Sequence, residues 1–209
     1  MNIAINIDCI EYMKSVCDNY FDLAVVDPPF GIGEDWKKKI GGRKFIDTSY
    51  KNNSIPTKEY FDELFRVSKN QIIWGYNYYT EILGPTNHII IWDKMSSEKT
   101  SFNSMCEVAY NSFPTPARIM RVPWDGARRG NETGIKKIHP HQKPIALYKW
   151  IFEKYANKGD KILDTHLGSG TSRIVAYKMG FDFVGCEIDK QYFLLQEERY
   201  YNECTNLIL

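Results

Sequence analysis

Ile162-Leu163-Asp164-Thr165-His166-Leu167-Gly168-Ser169-Gly170-Thr171 is the stretch on which the fold turns. It opens with apolar residues that read as a buried strand, bends at two glycines and enters a helical stretch, Thr171–Met179. Strand, glycine turn and helix start together form a ligand cradle. Glycine lets the backbone come close to a ligand, and the free N–H groups of the helix start carry positive potential. Seventeen residues past Gly170, Glu187 ends the next apolar run, Phe181–Cys186. An acidic side chain there is placed to accept hydrogen bonds from both hydroxyls of a ribose. A dinucleotide fingerprint would need a third glycine where Arg173 stands, so close packing around a pyrophosphate is not indicated. A cofactor with a ribose and no phosphates suits the turn better.

Outward from this stretch, strands alternate with helices. Strands are expected at 2–7, 21–26, 71–74, 88–92, 105–110, 117–122, 161–164 and 181–186. Helices are expected from Asp8, from Thr57 to about Lys69, over 76–83, from Pro144 to about Asn157, over 171–179 with Gly180 past the end, and from Asp189 to about Asn202. The pattern is α/β, with a mostly parallel sheet and helices on both faces. A chain of 209 residues, 43% hydrophobic, suits a single globular domain spanning 1–209. No apolar run approaches the ~20 residues of a membrane span. The N-terminus alternates like a strand and lacks the basic start of a signal peptide, so the reading is cytoplasmic, with no membrane partner. Five scattered cysteines without a Cys-x-x-Cys argue against a metal site or a disulfide framework.

A second site is suggested at Asp27-Pro28-Pro29-Phe30, which follows the apolar run Leu23–Val26. Two prolines end the strand and leave a carboxylate, two carbonyls and a ring at its C-terminal edge, where α/β sheets bind ligands. Taken alone, the four residues read equally well as a strand-ending turn. Charge adds a direction. Residues 31–56 carry a net charge of +3 and residues 117–143 a net of +5, in a chain whose total is +1. Two basic segments on an otherwise acidic body point to a polyanion-binding face.

Both motifs together resemble the β-type DNA amino-methyltransferases, which act on adenine N6 or cytosine N4. That family has an Asp-Pro-Pro-Tyr/Phe motif early and an Asp-Pro-Phe-x-Gly-Ser-Gly-Thr motif late, matched here by Asp27–Phe30 and Asp164–Thr171. Asn6-Ile7-Asp8-Cys9-Ile10-Glu11, His139-Pro140-His141-Gln142-Lys143-Pro144 and Gly185-Cys186-Glu187-Ile188-Asp189, with Tyr192 and Arg199, resemble three further family segments. The resemblance implies a Rossmann-like methyltransferase fold in circularly permuted motif order, with the Asp8 and Glu187 strands as neighbours. It implies S-adenosylmethionine as cofactor and DNA as substrate. Asp27 and the Pro28 carbonyl would accept hydrogen bonds from the target amine, Pro29 would stiffen the corner, and Phe30 would stack on a base turned out of the helix.

By the same resemblance Asp164, Leu167, Gly168, Ser169, Gly170 and Thr171 hold the methionine end of the cofactor. Lys143 approaches its carboxylate, Glu187 takes the ribose, and Asp8 with Cys9 meets the adenine. No metal is implied. A mobile loop at about 31–56 would close over the flipped base. A short target-recognition segment at about 117–138 would present Arg118, Arg121, Arg128, Arg129, Lys136 and Lys137 to DNA. So short a segment suggests help from a second copy of the chain, and the family suggests a cognate restriction nuclease. Thr165-His166 departs from the family's Pro-Phe: His166 either tunes cofactor binding or is an exposed loop histidine. Asp at the first catalytic position leans towards adenine. Cytosine N4, and a nucleic-acid-binding protein of weakened activity, stay open as alternatives.

Overall fold

The structure, a computed structural model, describes residues 1–31, 54–95, 104–124 and 128–205. The loop expected at 31–56 lies almost wholly outside the described residues, as do positions 125–127 of the segment 117–138.

Eight strands form one sheet: β1 Asn2–Ile5, β2 Phe21–Val26, β3 Ser68–Trp74, β4 Ile89–Asp93, β5 Cys106–Asn111, β6 Arg118–Arg121, β7 Lys161–Asp164 and β8 Asp182–Cys186. Their order is β1-β8-β7-β2-β3-β5-β4-β6. β5 runs antiparallel to both neighbours, β3 and β4, and every other pairing is parallel. The first and last strands lie side by side, Asn2 opposite Phe183 and Ile5 opposite Cys186.

The helices are α1 Cys9–Lys14, α2 Lys58–Val67, α3 Thr80–Leu83, α4 Ile145–Tyr155, α5 Thr171–Met179 and α6 Lys190–Tyr200. Because the central strands are apolar at consecutive positions, both faces of the sheet must be covered. Leu23, Val25, Ile72 and Trp74 face one way, against Leu147, Ile151 and Phe152 of α4 and Val175 and Ala176 of α5. Ala24, Val26, Ile73 and Leu163 face the other, against Met13 of α1 and Tyr60, Phe61, Leu64 and Val67 of α2. Among the described residues no helix is long and apolar enough to cross a membrane.

Local chemistry moved several boundaries. β3 starts at Ser68, directly after α2. There the Ser68 hydroxyl donates to the Leu64 carbonyl, and the Gln71 amide donates to the Ser68 carbonyl. The helix expected over 76–83 is broken at Tyr79, which turns into the core between a 3₁₀ turn and the short α3. The strands expected at 105–110 and 117–122 are not neighbours in the sheet, since β4 lies between β5 and β6. Pro144 stands at the N-cap of α4, and the free N–H of Ile145 is met by Glu132 Oε1 at 2.7 Å.

The chain leaves β2 towards β3 on one side and leaves β7 towards β8 on the other. The strand order therefore reverses between β2 and β7, which makes a crevice beyond their C-terminal ends. Asp27 and Asp164 stand at those two ends.

Candidate active site

Asp27 is held from one side only. Its Oδ2 forms an ion pair with Nζ of Lys143, whose side chain is 4% exposed. Among the described residues Oδ1 is buried and meets no donor. Lys143 also reaches Glu107 Oε2 at 3.3 Å, and Glu107 Oε1 takes Lys94 Nζ at 3.1 Å. Burial pushes the Asp27 carboxyl above its usual range, and the Lys143 ammonium opposes that push. Glu107 resists burial because two lysines face it, and it is held at about 2. Lys143, expected on the cofactor's carboxylate, thus stands between two carboxylates of the protein.

The two prolines are pinned from behind. The Tyr79 hydroxyl lies 2.8 Å from the carbonyl oxygens of both Pro28 and Pro29 and donates to them. Phe30 stacks on Tyr78, with centroids 4.9 Å apart and planes 10° from parallel. Gly75, just past β3, makes room for this ring: it has φ +80°, and a Cβ there would lie 2.2 Å from Phe30 Cε1.

The glycine turn is braced by side chains. Gly168 and Gly170 have φ +51° and +71°. The Gly168 N–H donates to Glu187 Oε2 at 2.8 Å, while Glu187 Oε1 accepts from the Asp189 N–H at 2.9 Å. Asp164 accepts from the His166 N–H at 3.0 Å and the Ser172 hydroxyl at 2.6 Å. Burial raises Asp164 to about 7 against these two donors. Arg199 donates to the Ser169 carbonyl at 3.1 Å and to Thr171 Oγ1 at 2.9 Å. Arg173, in place of a third glycine, binds Asn2 and Gln196 and joins α5 to β1 and α6. Asp8 caps α1 through Oδ1, and burial raises the Cys9 thiol to about 12, so it stays protonated.

Thr165 and His166 are built into the site. The Tyr60 hydroxyl is 2.7 Å from Thr165 Oγ1, which is 2.9 Å from His166 Nδ1. The half-buried His166 ring meets Tyr60 edge-on at 5.4 Å. It is not an exposed loop histidine, and burial lowers its pKa to about 4.

The six basic residues fall into separate places. Arg118 and Arg121 lie three apart on the edge strand β6, so they point to opposite sides of the sheet. Arg118 lines a surface cleft with Trp150 and Lys154, and Arg121 pairs with Asp93 at 3.0 Å. Arg129 and Lys137 both lie over Trp124, 5.7 and 5.1 Å from the ring centre, and Arg128 and Lys136 are exposed nearby. Trp124 continues a row of rings: Trp92 is 6.4 Å from it and Trp74 is 6.2 Å from Trp92. Lys94 lies over Trp92 and Lys143 over Trp74, each at 5.6 Å.

Sequence reading missed Glu107, Tyr78, Tyr79 and Gly75. A lone carboxylate at the head of the strand Cys106–Asn111 was one available signal. A glycine followed by three tyrosines in four residues at the end of another strand was the second.

A family model described as DNA methylase, of the N6/N4 type, matches residues 21–198. The chain belongs to that DNA methylase family. The methylase is 27% identical to the DNA adenine methyltransferase YhdJ of Escherichia coli, over 88% of this chain and 78% of that protein. Its fold matches that of M1.HpyAVI in complex with SAM, with TM-score 0.64 and 19% identity over 95% of this chain and all of the other. It also matches the cytosine-N4-specific PvuII DNA methyltransferase, with TM-score 0.64 and 13% identity over 97% and 91% of the two chains.

Proposed function

We propose that this methylase transfers a methyl group from S-adenosylmethionine to the exocyclic N6 of an adenine turned out of a DNA duplex. The observation that carries the reading is the buried Oδ1 of Asp27, without a donor among the described residues, at the crevice between β2 and β7. A buried acceptor without a donor is costly unless a ligand completes it. A carboxylate oxygen with its partner oxygen anchored is suited to an amine N–H.

Asp27 Oδ1 and the Pro28 carbonyl are the acceptor pair for that amine. Accepting its hydrogen bonds draws the nitrogen lone pair out of conjugation and stabilises the positive charge that grows on nitrogen as the new bond forms, a charge discharged when the amine gives up one proton. The Tyr79 hydroxyl holds the Pro28 carbonyl in a fixed direction. Phe30, backed by Tyr78, offers the face on which the extruded base stacks.

The residues at the glycine turn fit the cofactor. A Cβ on Gly170 would lie 3.1 Å from Gln196, and one on Gly168 would lie 3.4 Å from the His139 ring, so glycine lets the turn pack closely against its own protein neighbours at positive φ. Leu167, Gly168, Ser169, Gly170 and Thr171 would hold the methionine end. Glu187 would take the ribose with the lone pairs its two backbone donors leave, and Asp8 and Cys9 would border the adenine. Asp164 acts from behind, keeping the turn in shape. When bound, S-adenosylmethionine supplies a methyl group on a sulfonium that leaves as a neutral thioether.

The adenine methyltransferase relative and the Asp at position 27 support N6 of adenine. Cytosine N4 is the second reading, favoured by the likeness of fold to the PvuII enzyme and by the same acceptor pair, which suits either amine. Nucleoside analysis of DNA treated with the protein and methyl-labelled cofactor separates them. N6-methyladenine is expected, N4-methylcytosine in its place would select the second reading, and neither product would refute both.

A further inference from the structure

We propose that Glu107 is a positioning residue for the methyl-transfer step: it keeps Lys143 on Asp27 Oδ2, so that Asp27 Oδ1 stays aimed at the target amine. The inference rests on the reading of Asp27 as amine acceptor.

The argument begins with the reach of Lys143. A lysine carries a flexible four-carbon stem and a point charge, so nothing in its own chemistry selects one carboxylate. Lys143 follows β6 in the chain and precedes α4, whereas Asp27 ends β2. Glu107 comes from β5, which runs against its neighbours and so brings its N-terminal end to the edge where the parallel strands finish. The antiparallel strand therefore delivers a second carboxylate 3.3 Å from the Lys143 ammonium. The Trp74 ring lies on another side, 5.6 Å from Nζ. Two carboxylates and a ring together fix an ammonium that either carboxylate alone would leave free to swing.

Glu107 also separates two cations. Lys94 meets Oε1 and Lys143 meets Oε2. Without that charge the two ammoniums would face each other in a buried site, and Lys143 would lose its proton more readily. Of the other titratable groups, His139 and His141 from the segment before α4 face the Lys143 charge, Tyr148 of α4 lies near Asp27 and Glu107, and Lys137 lies near Lys94 and Glu107. The two histidines are held below their usual values, foremost by burial, and add no compensating charge at neutral pH. Asp27 and Glu107 are the anions that act on Lys143.

The test is the pH profile of kcat for Glu107→Gln and Glu107→Asp, with cofactor binding followed by calorimetry and folding by melting temperature. Glu107→Gln is expected to lower kcat at least tenfold at neutral pH. It should also move the alkaline limb of the profile down by about one pH unit or more, with the cofactor Kd within threefold of wild type. Glu107→Asp, which keeps the charge at a longer distance, is expected to fall between the two. A Glu107→Gln profile with kcat within twofold of wild type and an unmoved alkaline limb overturns the proposal. So does equal loss in both variants, which would mean packing alone. If the glutamine variant has no melting transition, Glu107→Asp decides: an alkaline limb at the wild-type position overturns the inference. Asp27→Ala separates this from the underlying reading. It is expected to abolish transfer with the cofactor Kd within about tenfold. Wild-type turnover in Asp27→Ala defeats the reading of Asp27, whereas a dead Asp27→Ala beside a wild-type Glu107→Gln defeats the positioning role alone.

Discussion

Phe30 and Gly75 are one structural decision made at two places in the chain. The ring lies where a side chain on residue 75 would have to stand, and the backbone of Gly75 has φ +80°. Gly75→Ala therefore meets both a strained conformation and a displaced ring. It is expected to destabilise the fold by about 1–3 kcal/mol. It should also lower kcat more than it raises KM for the cofactor, as denaturant melts and steady-state rates would show.

His166 carries a residue-scale consequence for pH. Its folded pKa of about 4 lies below the ordinary value of 6.5. Between those two values the unfolded chain takes up a proton that the fold refuses, so stability falls as pH drops through that window. His166→Phe removes this linkage. The variant is expected to lose less stability than wild type between pH 6.5 and about 4, by about 3 kcal/mol at the lower end. Melting curves across that range check the difference.

Among elements, the turn between β7 and α5 depends on a helix far along the chain. Arg199 in α6 binds the Ser169 carbonyl and the Thr171 hydroxyl, so α6 sets the shape of a loop it does not adjoin in sequence. Arg199→Met is expected to weaken S-adenosylmethionine binding about tenfold, because a loosened turn must be ordered again on binding. Calorimetry against Asp27→Ala as a reference would show the two effects to be of different kinds.

Legibility in the sequence follows the same boundary between local and distant causes. The strand ends at Asp27 and Asp164 were readable because prolines and glycines act on their own backbone. Glu187 was readable because a strand's end can be counted from a turn. The hold of Lys143 and Glu107 on Asp27 was not, since it needs β5 to run against its neighbours. Tyr79 was hidden for a related reason: the helix pattern over 76–83 gives no sign that it breaks to send one hydroxyl to two proline carbonyls.

For the whole molecule, the cations matter by where the sheet puts them. Lys136, beside the Arg129–Trp124–Lys137 stack, is exposed, whereas Arg118 lies about 10 Å along β6 from the Arg121 end. That distance takes Arg118 away from the edge where Asp27, Asp164 and Glu187 gather. If DNA crosses that edge, Lys136→Met should reduce the slope of log affinity against log salt by about 1, and Arg118→Met should leave it unchanged. A salt series of DNA-binding measurements gives both numbers.

The row of tryptophans has an optical consequence. Trp74, Trp92 and Trp124 follow one another at 6.2 and 6.4 Å, close enough for excitation energy to pass along the row. Its inner end lies beneath the Lys143 ammonium, a charge whose displacement would alter the emission of the ring below it. The Trp74 share of the protein's own fluorescence is thus expected to report whether the cation behind Asp27 is in place, with no label to disturb the site, as comparison with Trp74→Phe would show.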